Sequence, residues 1–480
     1  YDEQSLGITD TTFRVLNSKE KIKKFLSQKS NNTKVVFCTY QSSPLLSKSL
    51  PSNFSFDFGV FDEAHKTTSN KILKNKSKQK FSWNMPLQDS FIKIKKRLFM
   101  TATLKTSNYS KQNKLGYEQI VYSMTNEKQY GKIVDNFTFV KARKAKVICP
   151  IKVVVSIVTN DELHFKNISK TAVNIENQSV KTEQVAHQIA IKNAVEKFNT
   201  KKLFTYHSRC EDAESFTSPK PEGIKTHLPN FKCGYVDGSM KLDQRDNVMQ
   251  IFKEANRGIV SNARCLIEGV NIPAVDMVSF VSPKKSAVDI VQAAGRAMRI
   301  RNIKNKKFGY ILLPIFVERF RGEKIRKAIN RTEFDVVLKF LKALSDYDES
   351  IKEEISSIVI KNFRDKGRKQ KISKRQKEKE DSQIEFIGRS FEIKEIESSI
   401  NLKIVNFFGT SFEKYLGQLQ NFKIKHGHTN VPDNLEYKKL ANWTYQLKLA
   451  HRSNKLDEFR IKQLNKIQFN WKFEGETLDN

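Results

Sequence analysis

The sequence predicts an α/β fold with a parallel sheet up to residue 315 and an all-α remainder. Three observations carry this. Short runs rich in β-branched and aromatic residues recur to that point, helix-length segments separate them, and beyond Phe316 the spacing of apolar residues turns helical.

The strand-like runs, in order, are "TKVVFCT" (33–39), "FDFGVFDEA" (56–64), "RLFMTAT" (97–103), "IKVVVSIV" (151–158), "KLFTYH" (202–207), "GIVSNA" (258–263), "DMVSFV" (276–281) and "GYILLP" (309–314). None alternates polar with apolar, as expected of parallel strands covered on both faces. Between them lie segments such as "TEQVAHQIAIKNAVEKFN" (182–199), the crossover pattern that places chemistry at the C-terminal strand ends. From residue 331 to 358 apolar residues recur every three or four positions, which predicts helix. Residues 361–380 then carry ten basic and three acidic side chains. That run reads as a solvated helix or linker, with a phosphate-tracking arm or a nuclear import signal as the alternatives. A compact, Trp-containing unit closes the chain from about Ile400.

The chain has 86 Lys and Arg against 52 Asp and Glu, a net charge of +34. Such an excess points to a polyanionic partner, most simply nucleic acid; a lysine-rich proteome is the other explanation. Cys38, Cys149, Cys210, Cys233 and Cys265 contain no C-x-x-C pair, which excludes a zinc ribbon or a disulfide framework and fits a reducing compartment. No apolar stretch is long enough to span a membrane, and the start is no signal peptide. The chain is therefore expected in the cytoplasm or nucleoid of a bacterium, or the nucleus of a eukaryote, and not secreted.

Three stretches carry chemistry. Asp62, Glu63, Ala64 and His65 follow a predicted strand, where Asp62 can hold magnesium and Glu63 can orient or deprotonate a water. A surface turn is the bland alternative for so short a string. "LFMTATL" (98–104) ends the next strand with two hydroxyls, Thr101 and Thr103, able to read the state of the first site. In "IVQAAGRAMRIR" (290–301), Arg296 and Arg299 lie three apart and so on one helix face. Gly295 there admits a close backbone, and Gln292 adds a neutral hydrogen bonder. Two guanidiniums so placed can stabilise spreading phosphoryl charge. "GIVSNARCLIEGVNIPAVDMVSFV" (258–281) supplies Asn262, Arg264, Glu268 and Gly269 in a loop between strands, and Gly238 precedes a predicted helix bearing Arg245.

Together and in this order, these segments resemble the superfamily 2 helicases and translocases, most nearly DEAD/DEAH-box proteins with a type III restriction-like core. The family's motif II matches Asp62–His65, motif III Thr101–Thr103, motif IV Phe204–Ser208, motif V Val260–Pro273 and motif VI Gln292–Arg299. The resemblance implies two RecA-like parallel-sheet lobes, over 1–145 (incomplete) and 146–320, then a helical and basic linker over 321–400. It implies ATP and Mg2+ between the lobes, with Asp62 and Glu63 as metal and catalytic residues facing Arg296 and Arg299. His65, Thr101, Thr103, Glu268, Gly269 and Gln292 would bind nucleotide or couple it to the track, and Ser208, Asn262 and Arg264 would meet nucleic acid. Residues 412–473 resemble a helicase-associated domain, a small all-α unit over 401–480 that tilts the partner towards DNA. Its Trp443 and Trp471 are read as core rather than base-stacking platforms, "HGH" (426–428) as a turn, and Lys439, Lys448 and Arg452 as phosphate contacts.

The family's phosphate loop, G-x-x-x-x-G-K-[ST], is absent from the sequence. The expectation is a chain that starts inside the first lobe and, lacking that cradle, hydrolyses ATP poorly by itself. The activity expected of the complete protein is ATP-dependent DNA helicase or translocase. The alternatives are an ATPase motor subunit among the partners of a restriction or repair complex, or a non-catalytic DNA-binding scaffold.

Overall fold

The computed structural model describes residues 16–68, 72–74, 80–102, 111–112, 118–119, 123–165, 182–220, 222–263, 275–282, 287–300, 306–332, 334–365, 382–389 and 392–473. The chain divides into two units, Tyr1–Asn136 and Phe137–Asn480.

In the first unit, α1 (Lys19–Ser27) starts on the Ser18 hydroxyl, which accepts the Lys21 N–H. It ends under the Lys34 amine, which donates to the carbonyls of Phe25 (2.9 Å) and Leu26 (3.1 Å), a cation where the helix leaves its carbonyls free. After α2 (Ser43–Ser49), β1 (Phe56–Phe61) pairs in parallel with β2 (Ile94–Phe99), Phe56 opposite Ile94 and Phe61 opposite Phe99. Ile22, Leu26, Leu46, Phe61, Ile92 and Ile94 build the core. Two expectations fail in this unit. Residues 33–39 form no strand, and Val35 and Phe37 stand 64% and 79% exposed. Among the described residues no neighbouring strand offers them a ladder, and a run without that partner does not become a strand. Nor is β1 covered on both faces, since Phe58 and Val60 are 56% and 54% exposed.

The second unit holds one seven-stranded, all-parallel sheet. Its strands are β3 (Ile151–Thr159), β4 (Lys202–His207), β5 (Lys232–Asp237), β6 (Gly258–Ala263), β7 (Met277–Phe280), β8 (Gly309–Val317) and β9 (Ile384–Ile387), in the order β9-β3-β8-β7-β4-β6-β5. Every residue of β3, β6 and β7 is buried, as continuous apolar runs between helical layers require. Helix α3 (Phe139–Lys144) precedes the sheet, α4 (Thr182–Phe198) and α5 (Leu242–Glu254) cross over it, and α6 (Ala287–Met298) follows β7. The Lys202 amine closes α5 by donating to the carbonyls of Phe252 and Ala255, on the pattern of Lys34 at α1.

The segment read as a linker is built into this unit. Helices α7 (Ile325–Arg331), α8 (Asp335–Ser345) and α9 (Glu349–Asp365) replace one continuous helical stretch, broken at Asp346–Asp348. There the Asp348 carboxylate accepts the Ser350 N–H at 2.9 Å and starts α9. β9 adds to the free edge of β3, and α10 (Ile393–Phe408) sends Ile396, Ile400 and Ile404 into the sheet core. The basic run beyond Asp365 lies outside the described residues. Helices α11 (Ser411–His426), α12 (Lys438–Arg452) and α13 (Glu458–Lys466) enclose their own core with Ile360 of α9. Lys462 and Lys466 pair with Glu353 at 2.6 and 3.1 Å, which fastens that core to α9. No helix among the described residues is long and apolar enough to cross a membrane.

Asp348 is fully buried, and its Oδ2 takes Arg143 Nη1 at 2.5 Å, which ties α3 to the turn between α8 and α9. Removing one side of such a pair strands a charge in the interior. Asp348→Ala is expected to cost roughly 3 kcal/mol, seen as a lower urea midpoint of the full chain, with part of the loss recovered when Arg143→Met is added.

Candidate functional site

At the end of β1 the backbone turns sharply. Glu63 takes φ +49, a left-handed conformation uncommon outside glycine, and the Ala64 N–H returns to the Met100 carbonyl at 2.9 Å. The turn leaves Asp62 exposed, its Oδ1 accepting the Glu63 N–H at 2.9 Å. Tyr40, which sequence reasoning did not single out, donates its hydroxyl to the Asp62 carbonyl at 2.8 Å. Burial, then the negative charge of Asp62, raises the Tyr40 phenol far above its usual range, so it stays a donor. Its signal was faint: a tyrosine directly after a strand-like run.

His65 is buried beneath this turn. Its Nδ1 lies 3.2 Å from Glu63 Oε2 and 3.0 Å from Thr101 Oγ1. The Glu63 contact is an ion-pair distance rather than a hydrogen bond, whereas the Thr101 hydroxyl is hydrogen-bonded to the ring, the donor being set by the histidine tautomer. Thr101 lies two residues past the end of β2, so His65 stands between the Glu63 carboxylate and the backbone leaving that strand. The Thr67 hydroxyl meets the Tyr130 hydroxyl at 2.9 Å and fixes the far side of the turn. Thr103 lies outside the described residues.

The donor set suits a shared magnesium rather than a caged one. Asp62 and Glu63 are two adjacent carboxylates, and no group of three or more His, Cys, Asp or Glu among the described residues could hold a metal. Magnesium commonly takes one or two carboxylates and completes its shell with phosphate oxygens and water.

In the second unit, Gln292 and Arg296 lie four apart on α6 and share its face. Arg296 is 8% exposed. Burial holds its guanidinium below the usual range, Tyr206 beside it opposes that, and Arg299 adds to it. Arg299 corrects an expectation, because it is not helical. The helix ends at Met298, whose carbonyl accepts the Cys149 N–H at 2.9 Å, and Arg299 forms a bridge with Ile148. The segment after α3 thus pulls the chain out of helix one residue early and leaves Arg299 exposed. Nothing lies within 4 Å of where a Cβ on Gly295 or Gly238 would project, so no described neighbour demands glycine at either position.

The nucleic-acid candidates separate. Asn262 is not in a loop but inside β6, fully buried, with Nδ2 donating to the Thr205 carbonyl at 3.0 Å. An interior position of a parallel sheet is closed to a strand of nucleic acid, so that role is withdrawn. Ser208 is exposed just past β4, and Arg245 rides on α5. Arg264, Glu268 and Gly269 lie outside the described residues. Lys439 is exposed at the start of α12, and Arg452 stacks on Phe473 at 4.3 Å. Lys448 is half-buried, its amine donating to the Lys472 carbonyl and lying over Phe473 at 5.6 Å. Trp443 packs as core against Tyr415 and Phe412, and Gly427, at φ +84, ends α11 as a left-handed cap.

Three families match. Residues 4–106 match the type III restriction enzyme res subunit, 183–301 the helicase conserved C-terminal domain and 409–472 the helicase associated domain. An 86-residue stretch is 31% identical to IRC3 of Saccharomyces cerevisiae, itself named only as a candidate ATP-dependent helicase; the match covers 18% of this chain and 12% of that protein. Over 96% of this chain, the fold is similar to the ATP-dependent Type ISP restriction-modification enzyme LlaBIII bound to DNA, at a TM-score of 0.63 and 24% identity. The chain spans 34% of that enzyme's length.

Proposed function

Because the chain belongs to the superfamily 2 helicases, with a type III restriction-like core and a helicase-associated domain, we propose that it is the motor of an ATP-dependent DNA translocase. The observation that carries this reading is His65, buried at the end of β1 with Nδ1 3.2 Å from Glu63 Oε2 and 3.0 Å from Thr101 Oγ1. Asp62 would hold Mg2+ on an ATP phosphate, and the metal would screen the negative charge there. Glu63, fixed by its left-handed turn and by His65, would receive the proton of the attacking water. As Glu63 loses its charge its attraction for the His65 ring would weaken, while the ring keeps its contact with Thr101. The segment just past β2 that bears Thr101 would thereby sense the chemical step, the coupling a translocase needs. Arg296, desolvated and held on α6, would supply positive charge to the phosphoryl group from the second unit.

A motor for a restriction complex and a free-standing helicase share this chemistry and differ in what accompanies it. The match of residues 4–106 to a restriction subunit favours the first as the second reading to test. The deciding experiment measures ATP hydrolysis by the complete protein with and without DNA. A rate unaffected by DNA would remove the motor reading, and no hydrolysis under either condition would leave a scaffold.

The net charge of +34 gives a companion expectation. If it serves phosphate contacts, DNA affinity should fall by about tenfold or more between roughly 50 and 200 mM salt. A flat response would assign the charge to proteome composition.

A further inference from the structure

A cleft of about 840 Å³ opens between the flank of α11 and the loop that enters α12. Lys414, Asn421 and Lys425 line one wall at spacings of seven and four, hence on one helix face over about 16 Å. Lys438 and Lys439 line the other wall. Against these four lysines the lining holds one acid, Glu436. The Asn421 Oδ1 atom is buried and meets no hydrogen-bond partner among the described residues. At the rim stands Leu435, 95% exposed. Its exposure is enforced: the Asn434 N–H donates to the Pro432 carbonyl at 3.0 Å, and Asn434 Oδ1 accepts the Tyr437 N–H at 3.0 Å. A leucine held rigidly in water on the lip of a basic cleft suits a polyanion that also offers apolar faces.

We propose that this cleft grips a single strand of nucleic acid. The four lysines take successive phosphates, the Asn421 oxygen accepts a base amino group, and Leu435 lies against exposed base faces. A duplex hides those faces in its stack, so it could use the lysines but not the leucine. The assignment rests on the reading of the chain as a nucleic-acid motor and adds where, and in what form, the track is held.

The test uses the full chain and a single-stranded DNA oligonucleotide carrying 2-aminopurine, beside its duplex. The double variant Lys438→Glu, Lys439→Glu should weaken single-strand binding by about tenfold or more and flatten its salt dependence by one to two phosphate contacts. Leu435→Ser should return the bound 2-aminopurine emission towards that of the free strand while changing affinity only a few-fold. Wild-type affinity in the lysine variant together with wild-type emission in Leu435→Ser would place the strand elsewhere and leave the motor reading intact. An equal loss of duplex and single-strand affinity in the lysine variant, together with a Leu435→Ser response of the 2-aminopurine that is the same in the duplex as in the single strand, would make this a duplex site and overturn the proposal. Failure of the unaltered chain to bind either form would remove the motor reading itself.

Discussion

Glu63→Gln in the complete protein should lower DNA-stimulated ATP turnover by about 10²- to 10⁴-fold, the range general-base catalysis contributes, with nucleotide binding changed little. Gln is close to isosteric with Glu, so it can occupy the left-handed turn and still offer an oxygen to His65 Nδ1 at the position seen 3.2 Å away. It cannot take a proton from water. The variant thus separates chemistry from architecture: the turn, the Tyr40 contact to the Asp62 carbonyl and the Ala64–Met100 hydrogen bond do not depend on the lost charge. The measurement pairs steady-state hydrolysis with the affinity for a non-hydrolysed nucleotide. An unchanged rate would strip Glu63 of the base role. A joint fall in rate and nucleotide affinity would make Glu63 a binding group instead.

The sequence was most readable where burial was most complete. "KLFTYH" and "GIVSNA" are strands over the predicted residues, because both are covered on both faces and their few buried polar side chains find partners inside, Thr205 with His207 and Asn262 on the Thr205 carbonyl. The same kind of run misled at 33–39, since strand formation depends on a ladder partner that local composition does not report. "IEFI" was overlooked for the opposite reason. Four residues after a charged run carry too little pattern, yet the free edge of β3 recruits them across more than 200 positions. The site divides in the same way. Asp62 to His65 is legible because its chemistry sits in four consecutive residues. Tyr40 and the Arg143–Asp348 pair are not, because their partners lie 22 and 205 positions away. The helix end before Arg299 moved because Cys149, remote in sequence, claims the Met298 carbonyl.

That shift makes Arg296 and Arg299 unequal, and mutation should reveal it. Arg296→Ala in the complete protein is expected to lower ATP turnover by roughly 10³- to 10⁵-fold, as loss of a phosphate-stabilising arginine does, while Arg299→Ala costs much less. Arg296 is 8% exposed and held on a helix face with Gln292, so its charge acts through a weakly polarisable interior and needs no rearrangement at the moment of reaction. Arg299 lies past the helix end and is exposed, where water screens its charge. Truncating a buried side chain can also loosen the sheet's helical layer, so the thermal midpoint is recorded beside the rate. Arg296→Lys provides the sharper comparison: it keeps a cation and most of the packing but loses the planar fork, and should retain the fold while losing most of the activity. Full activity in Arg296→Ala with the loss confined to Arg299→Ala would move the phosphate contact to the bridge residue, and the burial of Arg296 would then be structural.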